Sequence, residues 1–416
     1  MSALHTAALP QLKLFAAAAI FLGSYLVFAL GKFPGMKIDR PGAGVIGAVL
    51  MVALGIVTPA GALRFIDLQT IVLLFSMMII VAALRLAGFF DWITRIVLTR
   101  LQPRHLLPMV IFTCGLLSAF FVNDIVCLAM VPFVLTAARQ SGVKPLPYLL
   151  AVATASNIGS VATITGNPQN MLIGSYSGIG YRTFLLHLAP VALAGLLLCW
   201  LVLHWVFARG GIHDPARAIA APAAAAVDGA RLVKPTIVAA GVLAGFLLGA
   251  PPAMAAALGA AVMLITRTRD PESVYRQVDW GVLVFFSGLF VIVGGAEASG
   301  WLDRLLRLAR TPGFQNAGVF TAAVAVLSNL VSNVPAVMLL KSSVPGFAHP
   351  QTGWLLLAMA STLAGNLTIT GSVANIIVVE RARPEAEISF RDYFRVGLPI
   401  TLLTLAFGGL WLWLVR

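Results

Sequence analysis

Acidic residues number only 15 in a chain of 416, and charged residues of both signs make up 10% of it. A water-soluble domain carries about a quarter of its residues as charges, so a soluble fold is excluded. Cysteine is scarce as well: Cys114, Cys127 and Cys199 lie in apolar stretches without metal-ligand spacing. That excludes a disulfide framework and a thiolate metal site and leaves packing roles. The six histidines are scattered, and no carboxylate pair, metal-ligating His cluster or Ser with a neighbouring base falls inside the apolar runs. An intramembrane enzyme, one competing class, would need such a constellation.

What is abundant is apolar surface, since 60% of the residues are hydrophobic. Runs of about 17–25 mostly apolar residues, each long enough to cross a bilayer as a helix, recur from end to end. The fold class is therefore an all-α polytopic membrane protein, with the lipid bilayer as its surroundings. The net charge of +13 would point to nucleic acid in a soluble chain. Here Lys and Arg sit in short loops, so the charge reads as a topology signal and no nucleic-acid partner is expected. The first run, from Leu14 to Leu30, has no basic stretch before it and exceeds a signal-peptide core, so it is expected to stay as a span.

Spans are predicted near 14–31, 43–58 and 68–87, followed by a long apolar stretch at 106–138 interrupted at "FVND", then 147–176 and 184–207. A linker rich in Ala, Gly and Pro fills 208–235, after which the order repeats. "DLQTIVLLFSMMII" from Asp67 matches "DWGVLVFFSGLFVI" from Asp279; "LSAFFVND" from Leu117 matches "LSNLVSNV" from Leu327. "SNIGSVATITGNPQN" from Ser156 matches "STLAGNLTITGSVAN" from Ser361, and "YRTFLLHLAP" from Tyr181 matches "FRDYFRVGLP" from Phe390. Four matched segments in one order, at offsets of 205 to 212 residues, mark an internal duplication of 1–207 in 236–416.

The stretches 106–138 and 314–347 are too long for one span and polar at their centres, so both read as re-entrant hairpins. Each half then has five crossings, one hairpin and one broken helix (147–176 and 351–380). Five is odd, so the second half is inverted relative to the first, an arrangement common in secondary transporters. Loops 32–41, 85–105, 139–146, 208–235, 266–279 and 380–395 fall on one side and hold 20 of the 28 basic residues. By the positive-inside rule that side is cytoplasmic and both termini face outside. The first hairpin opens from the cytoplasm and the second from the opposite face.

The polar residues concentrate where these breaks fall. "GNP" at Gly166–Pro168 should break the first helix. "GSV" at Gly371–Val373 lacks the proline and relies on Ala364, Gly365, Gly371 and symmetry. Half-helix N-termini attract anions, while freed carbonyls and Asn, Ser and Thr oxygens can coordinate Na⁺. The candidate site is therefore Asn123, Asp124, Ser156, Asn157, Thr165, Gly166 and Asn167 from one half. Ser332, Asn333, Gly365, Asn366, Thr370, Gly371 and Ser372 face them from the other. Small and hydroxylated residues also serve as ordinary glue between membrane helices, and Asn123 and Asn333 could simply cap turns. Asp124 is the sharpest residue, because a carboxylate deep in a membrane is costly and functional by default; it is the candidate for the coupling cation. Lys341, in the second hairpin, could contact an anion, pair with a carboxylate or snorkel to the surface.

At "SNIGSVATITGNPQN", "SNVPAVMLL" and "LAGNLTITGSVANIIVVE" the chain resembles the ion transporter superfamily. It is most similar to bacterial anion permeases related to arsenite permeases, divalent-anion/sodium symporters and the melanosomal P-protein. The symporters typically carry Ser-Asn-Thr at each hairpin tip, where this chain reads "VND" at Val122–Asp124 and "SNV" at Ser332–Val334. The resemblance implies a scaffold made by the first three spans of each half and a transport unit made by hairpin, broken helix and last span. It also implies a homodimer joined through the scaffold in a bacterial inner membrane. The expected function is secondary active transport of a small anion or oxyanion by alternating access, driven by a proton or sodium gradient. Arsenite, antimonite or silicic acid efflux and sodium-coupled dicarboxylate or sulfate symport are the alternatives, with a passive channel a further rival. No resident cofactor is expected; Na⁺ enters only as one of the two candidate coupling ions.

Overall fold

A computed structural model of the protein describes residues 2–31, 35–99, 105–208, 229–265, 270–305, 312–383 and 385–415. Most of the linker expected at 208–235 and residues 266–269 and 306–311 lie outside the described residues. Among the described residues six helices are long and apolar enough to cross a bilayer: Gln11–Leu30, Leu68–Ala87, Tyr181–Phe207, Gly229–Leu247, Trp280–Ala298 and Phe390–Leu414. Helices Leu106–Phe120 and Asn123–Gln140 occupy the stretch 106–138, and Ala317–Val331 and Asn333–Leu340 occupy 314–347.

The second crossing differs from its expected bounds of 43–58. Its helix starts earlier, at Arg40, because Asp39 accepts the amide of Gly42 at 2.9 Å and Pro41 fits a first turn that needs no N–H. It ends at Ala53, and Gly55 then turns the chain with φ +64°. Fourteen residues reach about 21 Å, too short for a full crossing, and a second short helix, Pro59–Phe65, follows. The repeat does the same with Pro252–Leu264 and Pro271–Tyr275. The region 85–105, read as a loop, contains a helix at Phe89–Thr99, matched by Trp301–Leu305. Each follows a glycine in the left-handed region, Gly88 at φ +85° and Gly300 at φ +75°.

Packing sorts the helices into two bodies. In the first, Arg40–Ala53 lies on Trp280–Ala298 and Pro252–Leu264 lies on Leu68–Ala87, so each half's second helix packs on the other half's third. That exchange is what a pseudo-two-fold axis between the halves produces. Gly44 and Gly288 set one of these contacts: a Cβ on Gly288 would stand 2.5 Å from the Gly44 backbone. In the second body, the first hairpin (Leu106–Phe120 and Asn123–Gln140) packs on the first broken helix. The second hairpin packs likewise on the second broken helix, and the two last helices pack on each other. Gly159 and Gly115 bring hairpin and broken helix together, since a Cβ on Gly159 would meet the Gly115 carbonyl oxygen at 2.0 Å.

Candidate functional site

Both breaks follow one backbone plan. In the first, Leu146–Ser160 ends, Thr163 is extended, a short turn covers Ile164–Gly166, and Asn167 is extended before Pro168–Ser177. In the second, Pro350–Leu363 ends, Thr368 is extended, the turn covers Ile369–Gly371, and Ser372 is extended before Val373–Ala382. The second break therefore needs no proline. It is held by close backbone approach, since a Cβ on Gly371 would sit 2.9 Å from the carbonyl oxygen of Gly365. Gly166 does the same in the first half, where a Cβ would sit 2.2 Å from the carbonyl oxygen of Ser160.

Breaking a helix in a membrane strands carbonyls that must find donors. Matched asparagines supply them. Asn170 donates to the carbonyls of Ser160 (3.1 Å) and Thr163 (3.0 Å), and Asn375 donates to those of Gly365 (2.7 Å) and Thr368 (3.0 Å).

The same asparagines clasp the opposite half. Asn157 donates to Asn366 Oδ1 at 2.9 Å and Asn375 Oδ1 at 3.0 Å, and its own oxygen accepts from Asn123 (3.1 Å) and Ser372 (2.9 Å). Its repeat counterpart Thr362 donates to Asn170 Oδ1 at 3.4 Å and accepts from Asn167 (3.3 Å) and Gln169 (3.2 Å). Asn333, with its amide set so that both ends are satisfied, donates to the carbonyls of Ser361 (3.1 Å) and Gly371 (3.2 Å) and accepts from Gln169 at 3.3 Å. Two buried polar atoms beside Asn157 have no protein partner: the acceptor Asn123 Oδ1 and the donor Asn366 Nδ2. Such orphans call for an explanation in a native structure, a bound ligand being one.

A cavity of about 270 Å³ opens between the two bodies. From the second body come Asn123, Asp124, Ser332, Asn333 and Ser372; from the first come Arg40 and Asp279. Four helices of the second body begin at this cavity, at Asn123, Asn333, Pro168 and Val373. Their N-terminal N–H groups and dipoles favour negative charge there. Asp279 caps Trp280–Ala298 by accepting the amide of Val282 at 3.1 Å, and Arg40 Nε donates to the carbonyl of Phe28 at 3.0 Å.

Of the sequence-selected residues, Asn123, Asp124, Ser332, Asn333 and Ser372 line the cavity, while Asn157, Asn167 and Asn366 form the buried network behind it. Gly166, Gly365 and Gly371 act through the backbone approaches above. Three lie elsewhere. Ser156 donates to its own helix at Ala153, Thr165 meets the Tyr181 hydroxyl at 3.0 Å, and Thr370 is exposed. Lys341 stands away from the cavity, 3.5 Å from Glu297 and over the ring of Tyr176. Arg40, Asp279, Gln169, Asn170 and Asn375 were not selected from the sequence. Asn170 and Asn375 carried a usable signal, since both close the matched segments in register.

Ser332, at the second hairpin tip, is the single non-glycine residue with positive φ among the described residues. Its φ of 77° and ψ of 158° fall in a region that glycine nearly monopolises. Strain there costs about 1–3 kcal/mol, against about 0.5–1 kcal/mol for glycine's extra unfolded entropy. Ser332→Gly should therefore stabilise the protein by about 1 kcal/mol, seen as a higher unfolding midpoint in detergent. It should slow transport as well, because it removes a hydroxyl from the cavity. A lower midpoint would contradict the strain.

Comparisons with known proteins agree with this architecture. A family model described as CitMHS, citrate transporter, matches residues 25–364. The silicon efflux transporter LSI3 of Oryza sativa subsp. japonica is 30% identical, covering 92% of this chain and 94% of that protein. A putative transporter, arsB, of Dictyostelium discoideum is 25% identical over 90% of this chain and 87% of its own length. Among solved structures, the Alcanivorax borkumensis YdaH transporter, described as having an unusual topology, superposes with a TM-score of 0.54 at 15% identity and covers 97% of each chain. That last likeness concerns the fold.

Proposed function

The chain belongs to the CitMHS family of citrate transporters, a multi-pass membrane transporter and not an enzyme, and from that premise we propose that it moves a small oxyanion by alternating access through the cavity between its two bodies. One observation carries the reading: four helix N-termini of the second body converge on a cavity to which the same body contributes one carboxylate, Asp124. The dipoles favour an oxyanion. Asp124, on the same lining, is the group that takes the coupling cation, H⁺ or Na⁺. The orphaned Asn123 oxygen then serves as a neutral contact, accepting from a hydroxyl of the substrate. Uncharged contacts suit a carrier, which must release what it binds.

Arg40 and the exposed Asp279 line the cavity from the first body, and both lie in the basic loops 32–41 and 266–279 assigned to the cytoplasm by charge. On that orientation the conformation described here faces the cytoplasm.

Proteoliposome flux tests the proposal, with imposed proton or sodium gradients and with arsenite, silicic acid, sulfate and citrate as separate substrates. Saturable counterflow of one of them, driven by one of the two gradients, is the expected result. Citrate as the preferred substrate would narrow the reading to the family's descriptive name. Flux that never saturates would replace it with a channel.

A further inference from the structure

The scaffold helix Trp280–Ala298 ends at the cavity with Asp279 and, about 27 Å away at its other end, carries Glu297. Glu297 Oε1 lies 3.5 Å from Lys341 Nζ, and that ammonium sits 4.5 Å from the centre of the Tyr176 ring. These three residues come from different places. Glu297 belongs to the first body; Lys341, on the second hairpin, and Tyr176, at the end of the first broken helix, belong to the second. The other ion pairs among the described residues differ: Arg139–Glu385 joins two parts of the second body, and Arg276–Glu272 lies within one turn of chain. Tyr25, on the first helix, adds a second link by donating to the carbonyl of Pro335 in the same hairpin at 3.2 Å.

Repeat symmetry sharpens the point. The positions matching Glu297, Lys341 and Tyr176 are Arg85, Val131 and Arg381. Arg85 bonds instead to Gln277 at 3.1 Å, on its own side of the molecule, and Val131 offers no charge. An ion pair at these positions can therefore form on one face only, the face opposite the cavity mouth.

We propose that Lys341 and Glu297, with Tyr176 beneath the ammonium, are positioning residues that latch the second hairpin to the scaffold on the face opposite the open cavity, and that they must part for that face to open. The pair is partly exposed, with Lys341 at 16% and Glu297 at 38% of side-chain accessibility, so it can break without an unsolvated charge being left behind. Its attraction holds one conformation in preference to another and makes no contact with the transported ion.

The inference rests on the alternating-access reading, and its test does not require a known substrate. Spin labels at Ser299→Cys and His349→Cys, in a chain whose native cysteines are all buried, report the separation of the scaffold from the second body on the latched face. The unmodified pair should give one dominant short distance. Lys341→Gln and Glu297→Gln should each add a second, longer population at least several-fold larger than in the parent. The exchanged pair Lys341→Glu with Glu297→Lys should return the distribution toward the short distance. Identical distributions in all four proteins, each monodisperse in detergent, would overturn the latch. So would a charge exchange that stays as open as the single variants. Absence of flux for every substrate together with a shifted distance would instead count against the transport reading and leave the latch standing.

Discussion

Asp124→Asn is expected to reduce gradient-driven transport to the level of empty liposomes while insertion and the unfolding midpoint stay close to those of the parent. The carboxylate lines the cavity, and the bonds that hold the network together run through Asn123, Asn157, Ser372 and their partners. An amide of the same shape therefore leaves those bonds in place, with a stability change within about 0.5 kcal/mol. What it removes is the one anionic group contributed by the second body to the cavity, and with it the capacity to take up H⁺ or Na⁺ there. Substrate exchange without a gradient should survive better than driven flux, because the four helix N-termini and the uncharged contacts are unaltered. Driven transport at the parental rate would remove Asp124 from the mechanism.

Asn157→Leu should show the largest loss of stability. The side chain makes four hydrogen bonds, three of them to residues of the other half: Asn366, Asn375 and Ser372. Bonds between membrane helices are worth on average about 0.6 kcal/mol each. Their loss, with buried amides left unpaired, sums to about 2–4 kcal/mol. Thr362→Val, at the matching position, removes weaker contacts of 3.2–3.4 Å and should cost about half as much. Unfolding in detergent distinguishes the two variants. Equal and small losses in both would mean that the network does not join the halves.

Much of this architecture was legible in the sequence because it is written twice. Matched segments located the hairpins and both breaks, and the second break, which lacks the proline of the first, appeared where symmetry put it. The short second crossings were not legible. Residues 54–58 are apolar enough to read as helix, and the end at Ala53 depends on Gly55 adopting φ +64°, a conformation that composition does not reveal. Arg40 and Asp279 escaped selection for a different reason. Each sits at the start of a helix next to a basic loop, and only the packing of Arg40–Ala53 on Trp280–Ala298 brings both to one cavity. Glu297 escaped selection as well, because its partner lies 44 positions away in sequence, at Lys341. Conversely Thr165 and Thr370, chosen for their hydroxyls, bond beside the turn in each break, the buried Thr165 with Tyr181 and the exposed Thr370 with Thr368.

The reciprocal clasp of Asn157 with Asn375 and of Thr362 with Asn170 has a mechanical meaning. Each break is propped open by an asparagine that is also gripped by the other half, so neither broken helix can straighten or tilt alone without releasing its neighbour. On the proposed mechanism the two therefore move together. A carrier built this way exposes its cargo to one side at the expense of the other, and a leak would require the clasp itself to come apart.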